Sequence, residues 1–416
     1  MNKSFVNHVI FKNFLALSTL QIVNLVLPFV TLPYLARVLG VSNYGVVVMV
    51  YSIMQLLFVI TDYGFNLSAT KEISLFRHNL NRVNTIFSSI MIIKAVLLLI
   101  TFGILLILIY TIPMIYENKE TYIMGFGMVV GQTFTPIWLF QGMEKMKHVT
   151  FVNLVSKLTF TLLIFAIIKT ENDYIYVPLL YSTGFVLAGL LSLFLAYREF
   201  GIKIYLTSYN SIRKQLNLST QYFFSRAAVA GYSSGNNFIV GLVLGEFYAG
   251  IFAVAEKVYV AMTIIYTPLS DSIYPHMVMK KDLKLFKKIF LGATTLNFIV
   301  SFIVFMFSLE LISFVFGEGY SESAHLLKYF CVLSLLLVPS TFIGYPLLGA
   351  FNYEKYANYS VVLAGCLHLI ILFFVYKYLS IYSIVLLLIF TQLIVFAIRL
   401  FGVKLFLQDR NKTISN

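Results

Sequence analysis

Apolar residues along this chain fall in blocks of about 20, each long enough to cross roughly 30 Å of hydrocarbon as an α-helix. Within a block every side is apolar. Ala95–Tyr110 reads AVLLLITFGILLILIY, with none of the period-two alternation of a membrane β-barrel. The pattern predicts helices over 14–37, 43–66, 84–110, 121–142, 149–169 and 174–197. Further helices are predicted over 217–241, 247–270, 288–313, 324–350, 357–379 and 381–405. The connections are short and leave no room for a soluble domain. The expected fold is therefore an all-α integral membrane protein of about twelve transmembrane helices.

Composition supports the same class. Hydrophobic residues make up 60% of the 416 positions and charged residues 11%, too few charges to cover a soluble chain of this length. The few charges give an orientation. With the N-terminus inside, the cytoplasmic segments hold about 20 of the 30 Lys and Arg residues, including Arg77, Arg82, Lys145, Lys214 and the run from Lys280 to Lys288. The outer connections hold mainly Arg37, Lys119, Lys169, Lys328 and Lys377. Both termini are then cytoplasmic. The net charge of +13 is spread over inside loops that face anionic lipid, so membrane lipid and not nucleic acid is the expected partner. Lys3 and Lys12 precede the first apolar block without a small-residue cleavage site, which reads as an uncleaved start.

Several chemistries are not expected. The chain has no H-E-x-x-H, Walker loop, G-x-S-x-G or Cys/His cluster, so no catalytic residue, metal or cofactor is assigned. Cys331 and Cys366 both sit in apolar blocks and read as free, buried thiols.

Two short matches suggest internal duplication. Val38-Leu39-Gly40 with Gly45 and Val243-Leu244-Gly245 with Gly250 both read V-L-G-x4-G. Pro136 precedes Glu144-Lys145 at the spacing by which Pro346 precedes Glu354-Lys355. The expected organisation is two six-helix pseudo-repeat lobes, 1–200 and 201–416, related by an axis along the membrane normal around a central cavity.

Polar residues inside the spans supply the candidate site. Ser18, Gln21 and Asn24 share one face of the first helix; the seventh carries Arg226, Ser233, Asn236 and Asn237. Such residues face protein or water, lining a cavity or bonding helix to helix. Lys94, Lys157, Arg226, Glu256 and Lys257 are charged within apolar segments, where each charge costs roughly 2.5–3.5 kcal/mol at mid-bilayer. Each of the cations either lines a cavity or is paired. Asp62 reads as a buried acid or an interfacial cap, His368 as a packing residue or a proton carrier, and Arg399 as a cation snorkelling from a helix end. A basic cavity in the membrane implies an anionic substrate, with phosphate or pyrophosphate the natural group.

Longer motifs point to a family. Asp62 to Thr70 reads DYGFNLSAT and is followed by Glu72-Ile73-Ser74; Pro136 to Gly142 reads PIWLFQG; Ala255-Glu256-Lys257 precedes Pro268 and Ile273-Tyr274-Pro275. With Leu32-Pro33-Tyr34-Leu35, these stretches resemble the Wzx-type O-antigen flippases of the polysaccharide transporter family, within the multidrug/oligosaccharidyl-lipid/polysaccharide superfamily, along the whole chain. The resemblance implies a non-enzymatic flippase in the bacterial inner membrane that moves undecaprenyl-pyrophosphate-linked oligosaccharide units from the cytoplasmic to the periplasmic leaflet. It implies a lipid-linked oligosaccharide as substrate, with a polysaccharide polymerase and a chain-length regulator as neighbours. On this reading Arg226 and Lys257, with Lys94 and Lys157, hold the pyrophosphate. Gln21, Asn24, Ser233 and Asn237 meet sugar hydroxyls, and Glu256 or Asp62 couples an ion. The alternatives are a multidrug exporter of the same superfamily and a membrane-embedded polysaccharide polymerase.

Overall fold

The structure, a computed structural model, describes the backbone of residues 3–415 and the side chains of 27, 29–224, 226, 227, 230, 231 and 235–410. Among the described residues every regular element is helical. The first eight α-helices are α1 (Lys3–Asp62), α2 (Phe65–Phe76), α3 (Leu80–Thr111), α4 (Pro113–Glu117), α5 (Lys119–Thr133), α6 (Ile137–Gly142), α7 (Met146–Ile167) and α8 (Val177–Phe200). The next eight are α9 (Tyr209–Leu244), α10 (Glu246–Thr263), α11 (Tyr266–Lys280), α12 (Leu283–Met306), α13 (Ser308–Phe316), α14 (Ser321–Phe342), α15 (Glu354–Val375) and α16 (Ile381–Ser415).

Ten segments of the described residues are long and apolar enough to cross a membrane, against about twelve expected. Among the described residues, Phe29–Phe76 holds the end of the first expected span and all of the second, and Gly235–Leu244 is a shorter apolar stretch of α9; most of the first expected span and part of the seventh lie outside the described side chains. The chain is a multi-pass integral membrane protein.

The chain separates into two compact units, Met1–Ala230 and Gly231–Asn416, so the division falls inside α9. The same succession of breaks recurs in both. Gly40 interrupts α1 at φ 73°, ψ 174°, and Gly245 separates α9 from α10 at φ 101°, ψ 166°. Only glycine enters this region without strain, which gives the V-L-G match its physical reason. Asn79 caps α3 by accepting from the Arg82 N–H, and Asp282 caps α12 by accepting from the Lys284 and Leu285 N–H groups.

The second sequence match needs a correction of register. After α6 the Lys145 N–H donates to the Phe140 carbonyl at 2.8 Å, with Glu144 left-handed. The corresponding turn has the Tyr353 N–H on the Leu348 carbonyl at 2.7 Å, with Asn352 left-handed. Glu144-Lys145 is therefore matched by Asn352-Tyr353, not by Glu354-Lys355. The first break is a tight turn at Thr135–Pro136, where the Ile137 N–H donates to the Thr135 carbonyl at 2.9 Å, whereas the second is wound as a π-helix over Ile343–Gly349, which places its proline two residues closer to the turn.

In the first unit the DYGFNLSAT motif forms a corner. Tyr63 and Gly64 both have positive φ and turn the chain from α1 into α2. A Cβ on Gly64 would lie 2.7 Å from the Tyr222 Cβ and 2.9 Å from the Phe223 nitrogen, so α9 rests directly on this glycine. Tyr63 stacks on Phe223 at 4.7 Å, and the Ser68 and Ser219 hydroxyls are 2.6 Å apart. Glu72 accepts from Gln215 Nε2 at 2.7 Å and pairs with Lys214. The PIWLFQG segment packs on the other side of α2. Trp138 is fully buried against Phe87, the Thr70 hydroxyl donates to the Gln141 Oε1 at 3.2 Å, and Arg77 pairs with Glu144.

Both cysteines are free, but only Cys331 is buried; Cys366 lies on the exposed side of α15. The expectation of two buried thiols fails because an apolar membrane span has an outward side as apolar as its core-facing side.

Gly64→Val combines a disallowed φ with a backbone clash, and should cost at least about 2 kcal/mol. The expected result is a lowered melting temperature of the detergent-purified protein, or loss from the membrane fraction. An unchanged melting temperature contradicts the close approach of α9.

Candidate functional site

In the first unit, three charged side chains named from the sequence converge on the corner after α1. Asp62, at the end of α1, is 2% exposed. Arg226 of α9 donates from Nη1 to Asp62 Oδ2 at 3.1 Å and keeps 44% of its side chain exposed. Lys94 of α3 is 1% exposed; Asp62 feels its charge as well as that of Arg226. The Lys94 ammonium donates to the Thr133 carbonyl at 3.3 Å. Thr133 ends α5, where helix carbonyls lack partners and a cation is favoured by the helix dipole. The Thr133 hydroxyl in turn donates to that of Thr61 at 3.1 Å. Asp62 Oδ1 is buried and accepts no hydrogen bond among the described residues.

Arg226 is the exposed member of the trio. Lys94 is a buried structural partner. Lys157, on α7, is half-buried, and among the described residues it forms no ion pair.

In the second unit, Asn237 of α9 donates from Nδ2 to Glu256 Oε2 at 2.7 Å, so Asn237 holds a carboxylate. Its Oδ1 is buried without a partner among the described residues. Lys257 follows on α10 and is half-buried. Gln21, Asn24 and Ser233 lie outside the described side chains.

His368 is fully buried on α15, with Nδ1 2.9 Å from the Thr391 hydroxyl and Nε2 3.2 Å from Asn236 Oδ1. Both ring nitrogens are thus engaged, as a packing residue requires.

Arg399 does not snorkel. Its Nη1 donates to the Ser340 carbonyl at 2.7 Å and to the Ser340 hydroxyl at 3.2 Å, and its Nε donates to the Ser360 hydroxyl at 3.2 Å. It fills the space at the break in α14, where Gly344 leaves helical geometry at ψ −112° and a Cβ would lie 3.0 Å from Arg399 Nη1. Beside it is a cavity of about 530 Å³, whose walls include Asp271, Tyr274, Tyr345, Gln392 and Arg399. Sequence reasoning placed none of these five in a site. The signal available was the pairing of a Gly/Pro-broken helix with polar residues in an otherwise apolar α16.

Charges satisfied inside helical units and helices broken at depth are features of membrane transport proteins. Over residues 10–281 the chain matches the family described as "Polysaccharide biosynthesis protein", and it belongs to that family. It is 29% identical to the "Putative O-antigen transporter" of Escherichia coli (strain K12), across 87% of this chain and 89% of that one. With the "Putative O-antigen transporter" of Shigella dysenteriae the identity is 25%, across 94% and 100%. Among solved structures, the fold is similar to "Lipid II flippase MurJ, inward closed conformation" at TM-score 0.72 and 14% identity, covering 93% of this chain and 87% of that one. It is also similar to an inward-facing MATE-family multidrug resistance transporter of the MOP superfamily at TM-score 0.66 and 12% identity, covering 92% and 96%.

Asp62→Asn would remove the buried carboxylate that accepts from Arg226 and acts electrostatically on the buried Lys94, and should cost about 1–3 kcal/mol. The melting temperature should fall, and the double variant Asp62→Asn/Lys94→Met should recover part of the loss. Additive losses in the double variant would show that the two groups do not interact.

Proposed function

We propose that the chain is a flippase for undecaprenyl-pyrophosphate-linked oligosaccharide units of O-antigen or a related surface polysaccharide. The unit moves from the cytoplasmic to the periplasmic leaflet of the inner membrane by alternating access. The observation that carries this reading is the near full-length kinship with transporters named for O-antigen. The fold by itself does not choose, since a lipid II flippase and a multidrug exporter both share it.

On this reading the polyprenyl tail stays in lipid while the pyrophosphate and sugars pass through polar surroundings. Arg226 meets the pyrophosphate with its exposed guanidinium, held in place by Asp62, which also feels the charge of Lys94. Lys257 supplies a second cation, a point charge on a flexible stem. Lys94 acts through Asp62 as a positioning residue, Lys157 is an auxiliary cation, and Gln21, Asn24 and Ser233 are candidates for sugar hydroxyls. Asn237 reaches substrate only if it releases Glu256, which makes the Asn237–Glu256 pair, with Asp62, a candidate for ion coupling. Both termini are cytoplasmic on the charge distribution, with a polymerase and a chain-length regulator as neighbours in polymer assembly.

The deciding experiment is reconstitution of the purified chain in vesicles with a fluorescent undecaprenyl-pyrophosphate oligosaccharide. Acceleration of its transbilayer movement is expected; a rate equal to protein-free vesicles refutes the reading. Lys257→Glu and Arg226→Glu, at normal membrane levels, should each abolish export of the glycan in a deletion strain. Undiminished export would remove that residue from the mechanism. Moving about two negative charges outward across an inside-negative potential of ~100 mV releases roughly 4.6 kcal/mol. An imposed inside-negative potential should therefore speed outward movement, and indifference to potential would mean that the charge is neutralised in transit.

A further inference from the structure

The cavity of about 530 Å³ in the second unit has no role in the account above. Its size falls within the range of small-ligand sites, about 300–1,000 Å³. Irregular backbone at membrane depth is tolerated only where protein covers it or where it lines a polar cavity. Here the chain departs from helical geometry at Gly344, between Pro339 and Pro346, and Arg399 satisfies the carbonyl of Ser340 at the break. The space is maintained at the cost of a broken helix and an intramembrane cation.

The chemistry of the wall narrows the ligand. Asp271 only accepts hydrogen bonds, Arg399 only donates, and Gln392 does both. Among the described residues neither the Asp271 nor the Gln392 side chain has a hydrogen-bond partner, so both are available to a ligand. Tyr345 is about half exposed and stands at 64° to Tyr274, with ring centroids 6.0 Å apart; its hydroxyl is fixed on Asn358 Oδ1 at 2.5 Å. A phosphate would meet the Asp271 carboxylate, and a cationic drug would meet Arg399. An apolar molecule would leave Asp271 and Gln392 unpaired. A sugar has what all three side chains need: hydroxyls that donate and accept, no net charge, and C–H faces that lie against an aromatic ring.

We propose that this cavity is a glycan subsite, in which Asp271, Gln392 and Arg399 hold a pyranose of the lipid-linked oligosaccharide beside the ring of Tyr345. The inference rests on the flippase reading and adds where the chain recognises the sugar, apart from the cations that meet the pyrophosphate. The subsite makes the identity of the sugar a determinant of transport.

The test uses the full-length purified protein and the free oligosaccharide released by mild acid from the producing strain's own lipid carrier, a probe with neither lipid nor pyrophosphate. Binding is read by microscale thermophoresis, and transport of the lipid-linked unit is read with the same preparation. The wild type should bind the free glycan, and Gln392→Leu and Asp271→Asn should each weaken binding about tenfold, the size of one lost hydrogen bond to a charged or buried group. Thr341→Trp, which fills the cavity from α14, should abolish binding, and unchanged melting temperatures would separate these effects from misfolding. Equal binding by all four proteins overturns the subsite, as does absence of binding to a wild type that still moves the lipid-linked unit. A wild type that neither binds the glycan nor moves the lipid-linked unit overturns the flippase reading as well.

Discussion

Hydrocarbon offers no hydrogen bonds, so a helix that breaks inside the membrane must have its freed carbonyls satisfied by another part of the protein. Each unit contains such a break, and each meets the demand in the same way. In the first, α5 stops at Thr133 and the Lys94 ammonium from α3 takes its carbonyl. In the second, α14 deforms before Gly344 and the Arg399 guanidinium from α16 takes the carbonyl of Ser340. A cation suits the purpose better than a neutral donor, because the C-terminal end of a helix carries partial negative charge.

This device constrains everything around it. A buried lysine brings an uncompensated charge, and in the first unit Asp62 answers it from the corner after α1. Asp62 is then shared with Arg226, which ties α9 to the DYGFNLSAT turn and leaves part of the guanidinium exposed. The motif thus reads as a structural specification. The glycine lets α9 approach, the tyrosine stacks on it, the serine and glutamate bond to it, and the aspartate balances the cations. Asp62, Arg226 and Lys94 thus act on one another, so a substitution at one is felt by the others.

In the second unit, open space lies beside the break. Winding Ile343–Gly349 as a π-helix, with proline inside it, widens the break, and Arg399 reaches across from α16 without closing the volume beside it. The break in the first unit is met by the polar cluster around Lys94 and Thr133, and the break in the second lies beside a cavity.

Much of this was legible in the chain itself. Span positions, the all-helical class, the Gly40 and Gly245 breaks and the family motifs depend on residues close in sequence, where apolar run length and the backbone freedom of glycine act without reference to distant partners. The partners themselves were not legible. Arg226 and Asp62 are 164 residues apart, and Lys94 and Thr133 are 39 apart. No local rule says which intramembrane cation finds an acid, which finds a carbonyl and which stays exposed. Arg399 near a helix end resembled a snorkelling residue until α16 was packed against the broken α14. Sequence determined which segments are apolar enough to span a membrane, because the solvent acts on each segment separately; tertiary structure decided which charges hold the fold, because a charge in low dielectric is settled only by what is packed against it.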